Sequence, residues 1–150
     1  MDAQPIRTTR KDLSWYERWQ LKHLVHMKGS SMDRMLAGGE DIPIWMIKSG
    51  RRICGWATIG KPFDNIPTAF MVYVRPEHRK QGLGTLLASA VHRDTGLLSG
   101  VCWSEESQAA YRRWSAQGKV GTLYDLRSTA PNFNAKLGYA KIIFENSVAL

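Results

Sequence analysis

The segment Arg79-Lys80-Gln81-Gly82-Leu83-Gly84 limits what this chain can become more than any other stretch. An apolar run, Ala69-Phe70-Met71-Val72-Tyr73-Val74, precedes it with the length and composition of a buried strand. Leu83, Leu86, Leu87, Ala90 and Val91 follow at i, i+3, i+4, i+7 and i+8, the spacing of one helix face. A strand therefore enters a turn with two glycines and a helix leaves it. Glycine lets a backbone turn sharply and lets a ligand come close. The first turn of a helix carries unpaired N–H groups and a partial positive charge, and Arg79 and Lys80 add formal charge beside it. The segment reads as a pocket for a phosphate or pyrophosphate. Two other phosphate loops are excluded. A P-loop ends in Gly-Lys-Ser/Thr, whereas Gly84 is followed directly by Thr85, and the dinucleotide fingerprint needs glycine where Leu87 stands.

The rest of the chain supplies alternating elements. Residues 5–10 suit a short edge strand. Ser14 and Glu17 form a capping box, so a helix starts at Trp15 and runs to about Met27, ending before Gly29. Tyr16, Leu24 and Met27 share a face with Leu21 beside them and read as core. Trp15 and Trp19 lie one turn apart on a neighbouring flank, where they either wall a pocket or pack on the sheet. His23 and His26 are three apart on this helix, but no third ligand with suitable spacing is near, and no metal site is expected. Ser30-Ser31 caps a second short helix, Met32 to Ala37, stopped by Gly38-Gly39. Strands follow at 42–48, 52–59 and 68–75, with Gly55 as a bulge or close-approach point. After the helix at 83–94 come a strand at 98–103, a helix from about Glu105 to Gln117, and strands at 123–127 and 140–145. The order β-α-α-β-β-β-α-β-α-β-β mixes hairpins with crossover helices and implies one mixed sheet in one domain, 1–150.

Charge and cysteine content narrow the class. Twenty-one basic against 13 acidic side chains give a formal charge of +8, which suits a polyanionic ligand or partner. Cys54 and Cys102 sit in apolar strand-like segments, which points to buried thiols in a reducing compartment and away from a disulfide framework or zinc site. No apolar leader follows the charges near the N-terminus and no run approaches a membrane span. A cytoplasmic protein is expected.

The pattern Arg/Gln-x-x-Gly-x-Gly/Ala, set between a strand ending in Val-x-Pro and a helix, stands here as Val74-Arg75-Pro76-Glu77-His78-Arg79-Lys80-Gln81-Gly82-Leu83-Gly84. It resembles the GNAT superfamily of acyl-CoA-dependent N-acyltransferases, and the element order resembles that fold over nearly the whole chain. The resemblance implies an α/β fold: a mixed, partly splayed sheet of about six to seven strands with about four helices. It implies acetyl-CoA as cosubstrate and no metal. The pantetheine arm would lie between strands 69–75 and 98–103, on the backbone of Met71, Val72, Tyr73 and Val74. The pyrophosphate would sit on the amides of Gln81, Gly82, Leu83, Gly84 and Thr85, with Arg79 and Lys80 adding charge. Apart from the resemblance, Trp15 and Trp19 are the candidates to wall an acceptor pocket, with packing on the sheet as their other reading.

The chain departs from the family where a tyrosine for the leaving thiolate is common. Ser107-x-x-Ala110-x-x-x-Trp114-x-x-x-Gly118 keeps the spacing of Asn-x-x-Ala-x-x-x-Tyr-x-x-x-Gly, but an indole is no acid for a thiolate. Tyr111, one turn earlier, is the nearest phenol and the candidate catalytic acid, with core packing as its other reading. Ser107 would inherit a pantetheine or CoA contact. Lys136-Leu137-Gly138-Tyr139 resembles the family's Lys-Leu-Gly-Phe, which leaves the register after residue 104 open. For a general base the choice stays open among Glu105, Glu106 and a water chain. The function these residues imply is acetyl transfer from acetyl-CoA to a primary amine on a protein, a small molecule or an aminoacyl-tRNA. The alternative is a non-catalytic module of the same fold that binds acyl-CoA, protein or RNA. A homodimer is compatible with either, and no membrane partner is expected.

Overall fold

The computed structural model describes residues 4–24, 39–60, 68–102, 105–125 and 141–144. One seven-stranded sheet organises them, with strands β1 (Ile6–Thr9), β2 (Pro43–Ser49), β3 (Arg52–Gly60), β4 (Ala69–Val74), β5 (Leu98–Cys102), β6 (Val120–Asp125) and β7 (Lys141–Phe144) side by side in chain order. β1–β2, β2–β3 and β3–β4 are antiparallel, β4–β5 and β5–β6 are parallel, and β6–β7 is antiparallel. The two parallel joins need crossovers, and helices α2 (Leu83–Thr95) and α3 (Glu105–Ala116) supply them. Helix α1 (Trp15–Leu24) follows β1 and a short 3-10 turn, Arg10–Asp12.

Both faces of the sheet are covered, which explains why β2 and β3 read as nearly unbroken apolar runs. Trp45, Ile47, Cys54, Ala57 and Phe70 pack with Leu83, Leu87, Val91, Tyr111 and Trp114 on the α2/α3 face. Ile44, Met46, Ile53, Trp56, Ala69 and Met71 pack with Leu13 and Leu21 on the α1 face. Alternation along β2 sends Trp45 and Ile47 one way and Ile44 and Met46 the other.

The capping box of α1 forms as expected. Ser14 N–H donates to Glu17 Oε1 at 2.8 Å and Glu17 N–H donates to Ser14 Oγ at 3.1 Å. Gln20, 2% exposed, anchors the helix: its Nε2 donates to Arg51 O at 2.8 Å, and its Oε1 accepts from Ile53 N–H at 2.8 Å and from Arg75 at 3.3 Å. This side chain ties α1 to the β2–β3 turn and to the residue leaving β4. Tyr16, expected in the core, is exposed instead; the buried face runs through Gln20 and Leu21 because the polar anchor at Gln20 sets the helix's rotation. Met27 and the helix expected at 32–37 lie outside the described residues, as do the side chains of His23, Leu24, Cys102, Glu105 and Glu106. Cys54 is a buried free thiol.

Helix α2 is fixed at both ends by indole N–H groups. Trp45 Nε1 donates to Asp94 Oδ2 at 2.8 Å near its C-terminus, and Trp114 Nε1 donates to Thr85 Oγ1 at 3.0 Å in its first turn. Trp56 Nε1, on the other face, has no hydrogen-bond partner among the described residues. β6 begins at Val120, three residues before the expected strand at 123–127, because Val120 is wholly buried and pairs with Leu98. Gly55 is both a close-approach point and a neighbour of an irregular register. A Cβ there would stand 3.2 Å from Leu87, and Ile47 pairs with Gly55 while Lys48 pairs with Ile53.

Glu17 also accepts from Lys48 Nζ at 2.9 Å. Burial raises its carboxyl, but the Ser14 N–H, the Lys48 ammonium and the Ser14 hydroxyl outweigh that effect and hold it below the ordinary value. A lowered folded value contributes stability at neutral pH that is lost as pH falls below about 4.3, the ordinary glutamate value. Thermal melts of wild type and Glu17→Gln should therefore converge as the pH is taken from about 6 to about 3. A gap that stays constant across that range would remove this linkage.

Candidate functional site

The neighbouring ladders run full length while the one between β4 and β5 does not. β4 stays paired to β3 up to Gly55↔Val74, and β5 stays paired to β6 up to Cys102↔Asp125. β4 and β5 pair only at Ala69↔Ser99 and Phe70↔Gly100. The two strands fork after that rung, and the backbone of Met71, Val72, Tyr73 and Val74 borders the fork.

Tyr111 stands at the base of the fork. It is 2% exposed, and its hydroxyl donates to Phe70 O at 3.0 Å. A Cβ on Gly100 would come within 2.5 Å of its ring, so only glycine leaves room for the phenol over β5. The rings of Phe70 and Trp114 lie 5.3 and 4.9 Å away, the latter edge-on. Gly100→Ala should force this ring to shift and cost about 1–3 kcal/mol in chemical denaturation. Unchanged stability would mean that the wedge is not tightly packed.

The glycine turn lies at the C-terminal end of β4. Pro76–His78 form a short 3-10 turn, Lys80 takes a left-handed φ of 64°, and Gly82, with φ 80°, is the N-cap of α2. A side chain at Gly82 would meet nothing within 4 Å, so the turn is open above this residue. Leu83, Gly84 and Thr85 form the first helical turn; no side chain caps it and no acidic residue lies in it. Their N–H groups are therefore available to an anion. Arg79, Lys80 and Gln81 are exposed around the turn. Arg79 Nε donates to Val74 O at 3.0 Å, and its guanidinium lies 5.9 Å from the Tyr73 ring centroid. Arg52 pairs with Glu77, so this acid beside the turn is already matched to a base, and its carboxyl is lowered mainly by its own backbone N–H and by Arg52.

The two glycines have different causes. Gly82 supplies a left-handed backbone and open space. Gly84 instead makes room for Trp114, whose ring would stand 3.3 Å from a Cβ at that position. From sequence alone the two glycines offer a sharp turn and close approach alike, and Trp114 has no evident partner. The signal that a bulky ring fills the tyrosine position was visible, but its contact with the first turn of α2 was not.

Trp15 and Trp19 are 76% and 50% exposed on α1. They do not stack on each other. Tyr16 lies between, parallel to Trp19 with centroids 6.1 Å apart and edge-on to Trp15. An open groove of about 550 Å³ is lined by Ser14, Trp15, Tyr16, Glu17, Lys48 and Arg51, on the sheet face opposite α2. Ser107 is half-buried in the first turn of α3. The segment Lys136–Tyr139 lies outside the described residues, whereas Ser107–Gly118 falls on α3 and the turn after it. Among the described residues no group of three or more His, Cys, Asp or Glu is placed to hold a metal, and no helix is long and apolar enough to cross a membrane.

The described residues thus form a mixed sheet forked between two parallel strands, with a basic, glycine-bearing turn and an uncapped helix at the end of the fork. The family model for the acetyltransferase (GNAT) domain matches residues 40–141, more than half of the chain and all of the fork and turn. The chain belongs to the GNAT acetyltransferase family. No curated protein and no solved structure matches it. The family carries out acyl transfer and generally uses acetyl-CoA. The residues present suit such a donor, since the turn above Gly82 is open and the first-turn N–H groups lack a cap. If the turn takes the CoA diphosphate, Gly82→Asp should lower CoA affinity by about a hundredfold or more in calorimetry, through a carboxylate at the uncapped helix start. Wild-type affinity in a folded variant would move the diphosphate elsewhere.

Proposed function

We propose that this protein is an N-acetyltransferase that moves an acetyl group from acetyl-CoA to a primary amine within a ternary complex. The fork at Phe70↔Gly100, opening towards the uncapped turn at Gly82–Thr85, is the observation that carries this reading. In it, the backbone of Met71–Val74 holds the pantetheine arm as an added strand, and a backbone N–H there polarises the thioester carbonyl. The amides of Gln81–Thr85 hold the pyrophosphate, with Arg79 and Lys80 adding charge and Ser107 contacting the carrier from α3. The amine nitrogen bonds to the carbonyl carbon, the C–S bond breaks, the nitrogen gives up a proton and the thiolate takes one. Catalysis rests chiefly on positioning.

The acceptor enters in this scheme from the α1 face, with Trp15 and Trp19 as its aromatic wall. The +8 formal charge and exposed Arg51 favour an acceptor that is itself anionic or carried on RNA. Tyr111 is the phenol nearest the fork and the candidate proton donor to the thiolate. Its proton is already donated to Phe70 O, which favours a second role as the wedge that keeps the strands apart. Tyr111→Phe separates the two. As a wedge it loses about 1 kcal/mol of stability and keeps its turnover. As the acid it loses about tenfold or more in kcat at unchanged CoA affinity.

A second reading is a non-catalytic acyl-CoA-binding module, favoured by Trp114 at the usual phenol position. Labelled acetyl-CoA incubated with the protein and cell lysate, followed by mass spectrometry of proteins and RNA, distinguishes them. Label on one class of amine supports the enzyme. CoA binding in calorimetry without label on any amine supports the module, and absence of binding overturns both.

A further inference from the structure

Thr85 and Trp114 form a pair whose chemistry is not exhausted by packing. An indole N–H can only donate, so in the 3.0 Å bond from Trp114 Nε1 the Thr85 hydroxyl oxygen is the acceptor. That leaves the hydroxyl its own proton. A helical threonine ordinarily gives this proton to the carbonyl four residues back, as Thr95 does to Val91 O at 2.6 Å in the same helix. Thr85 makes no such bond. The carbonyl four residues before it belongs to Gln81, which lies outside the helix, and no acceptor for the Thr85 proton is present among the described residues. Thr85 is half-buried in the first turn, next to the open space at Gly82.

Trp114 has no freedom to do otherwise. It is 3% exposed, its ring stands against Gly84 and edge-on to Tyr111, and it keeps its nitrogen towards the first turn of α2. A tyrosine at this position, as the family often has, would place a phenol there. The indole instead fixes a hydroxyl on the neighbouring helix.

Resting on the acyl-CoA reading of the site, we propose that Trp114 is a positioning residue that turns the Thr85 hydroxyl into a fixed donor for the carrier's diphosphate. The turn then offers one side-chain donor beyond its backbone amides. The bond from Trp114 takes up one lone pair of the oxygen and polarises its O–H, which strengthens donation to a charged oxygen. The same indole links the wedge at the fork to the grip on the anion, so the two halves of the carrier site are held in one register.

The test compares two probes, CoA and pantetheine, which share the arm and differ in the diphosphate and nucleotide. Affinities are read by calorimetry, with pantetheine measured by displacement. The ratio of CoA to pantetheine affinity should fall about tenfold to a hundredfold in Thr85→Val, which keeps the shape and loses the hydroxyl. Thr85→Ser should restore it. Trp114→Phe should lower the same ratio by a smaller factor, and adding it to Thr85→Val should lower it no further. An unchanged ratio in Thr85→Val, or equal loss for both probes, overturns the proposal. Failure of wild type to bind CoA at all overturns the acyl-CoA reading itself, a separate result. An unchanged ratio in Trp114→Phe overturns the role of Trp114; should that variant not fold, Thr85→Val and Thr85→Ser still decide whether the hydroxyl is a donor.

Discussion

A single buried hydrogen bond, from the Tyr111 hydroxyl to the Phe70 carbonyl, sits where this sheet stops being continuous. A parallel pair of strands ordinarily goes on exchanging hydrogen bonds for its whole length. Here the last recorded rung is followed by a phenol that lies over Gly100 and satisfies a carbonyl at the parting of the strands. A side chain thus takes a place that the ladder gives up, and the backbone polar group there is not left buried and unpaired. The fork is consistent with the outer strands because β4 keeps β3 and β5 keeps β6 as partners.

From that point the rest of the site follows in space. α2 must begin close to the fork's open end, and its direction is set by two indole bonds, one at Thr85 and one at Asp94. Asp94 also faces Arg7 and Arg93, which keep its carboxyl below the ordinary value, Arg93 contributing most and the Trp45 N–H next. α1 is held to the other face by Gln20, which reaches the β2–β3 turn and Arg75, the residue where the chain leaves β4. Both layers of helices are therefore tied to the strand that leads into the turn. The turn itself pays in backbone strain, since Lys80 is the one non-glycine residue with a left-handed φ among the described residues.

Much of this was legible in the chain. The strand, turn and helix around Gly82 follow from an apolar run, two glycines and a 3.6-residue period, and the capping box at Ser14 and Glu17 forms as its spacing implies. The mixed sheet follows from the alternation of hairpins and crossovers. What could not be read were the contacts between elements far apart in sequence. Gly84 also seats an indole thirty residues on, a contact its own neighbourhood in the sequence does not announce. Tyr16 carried the pattern of a core residue, but a buried glutamine four positions later sets the helix face. β6 starts earlier than its own composition suggests because Leu98 draws Val120 into the sheet. Local periodicity sees none of these, because each depends on a partner that only the fold supplies.

The central claim is that the fork at Phe70 and the first turn of α2 together hold an acyl-CoA. Amide hydrogen exchange with and without acetyl-CoA reports on every backbone N–H involved. The account predicts slowed exchange in two separate stretches, residues 71–74 and 81–85, with little change along β1 and β2. Protection confined elsewhere, or none at saturating acetyl-CoA, would contradict it.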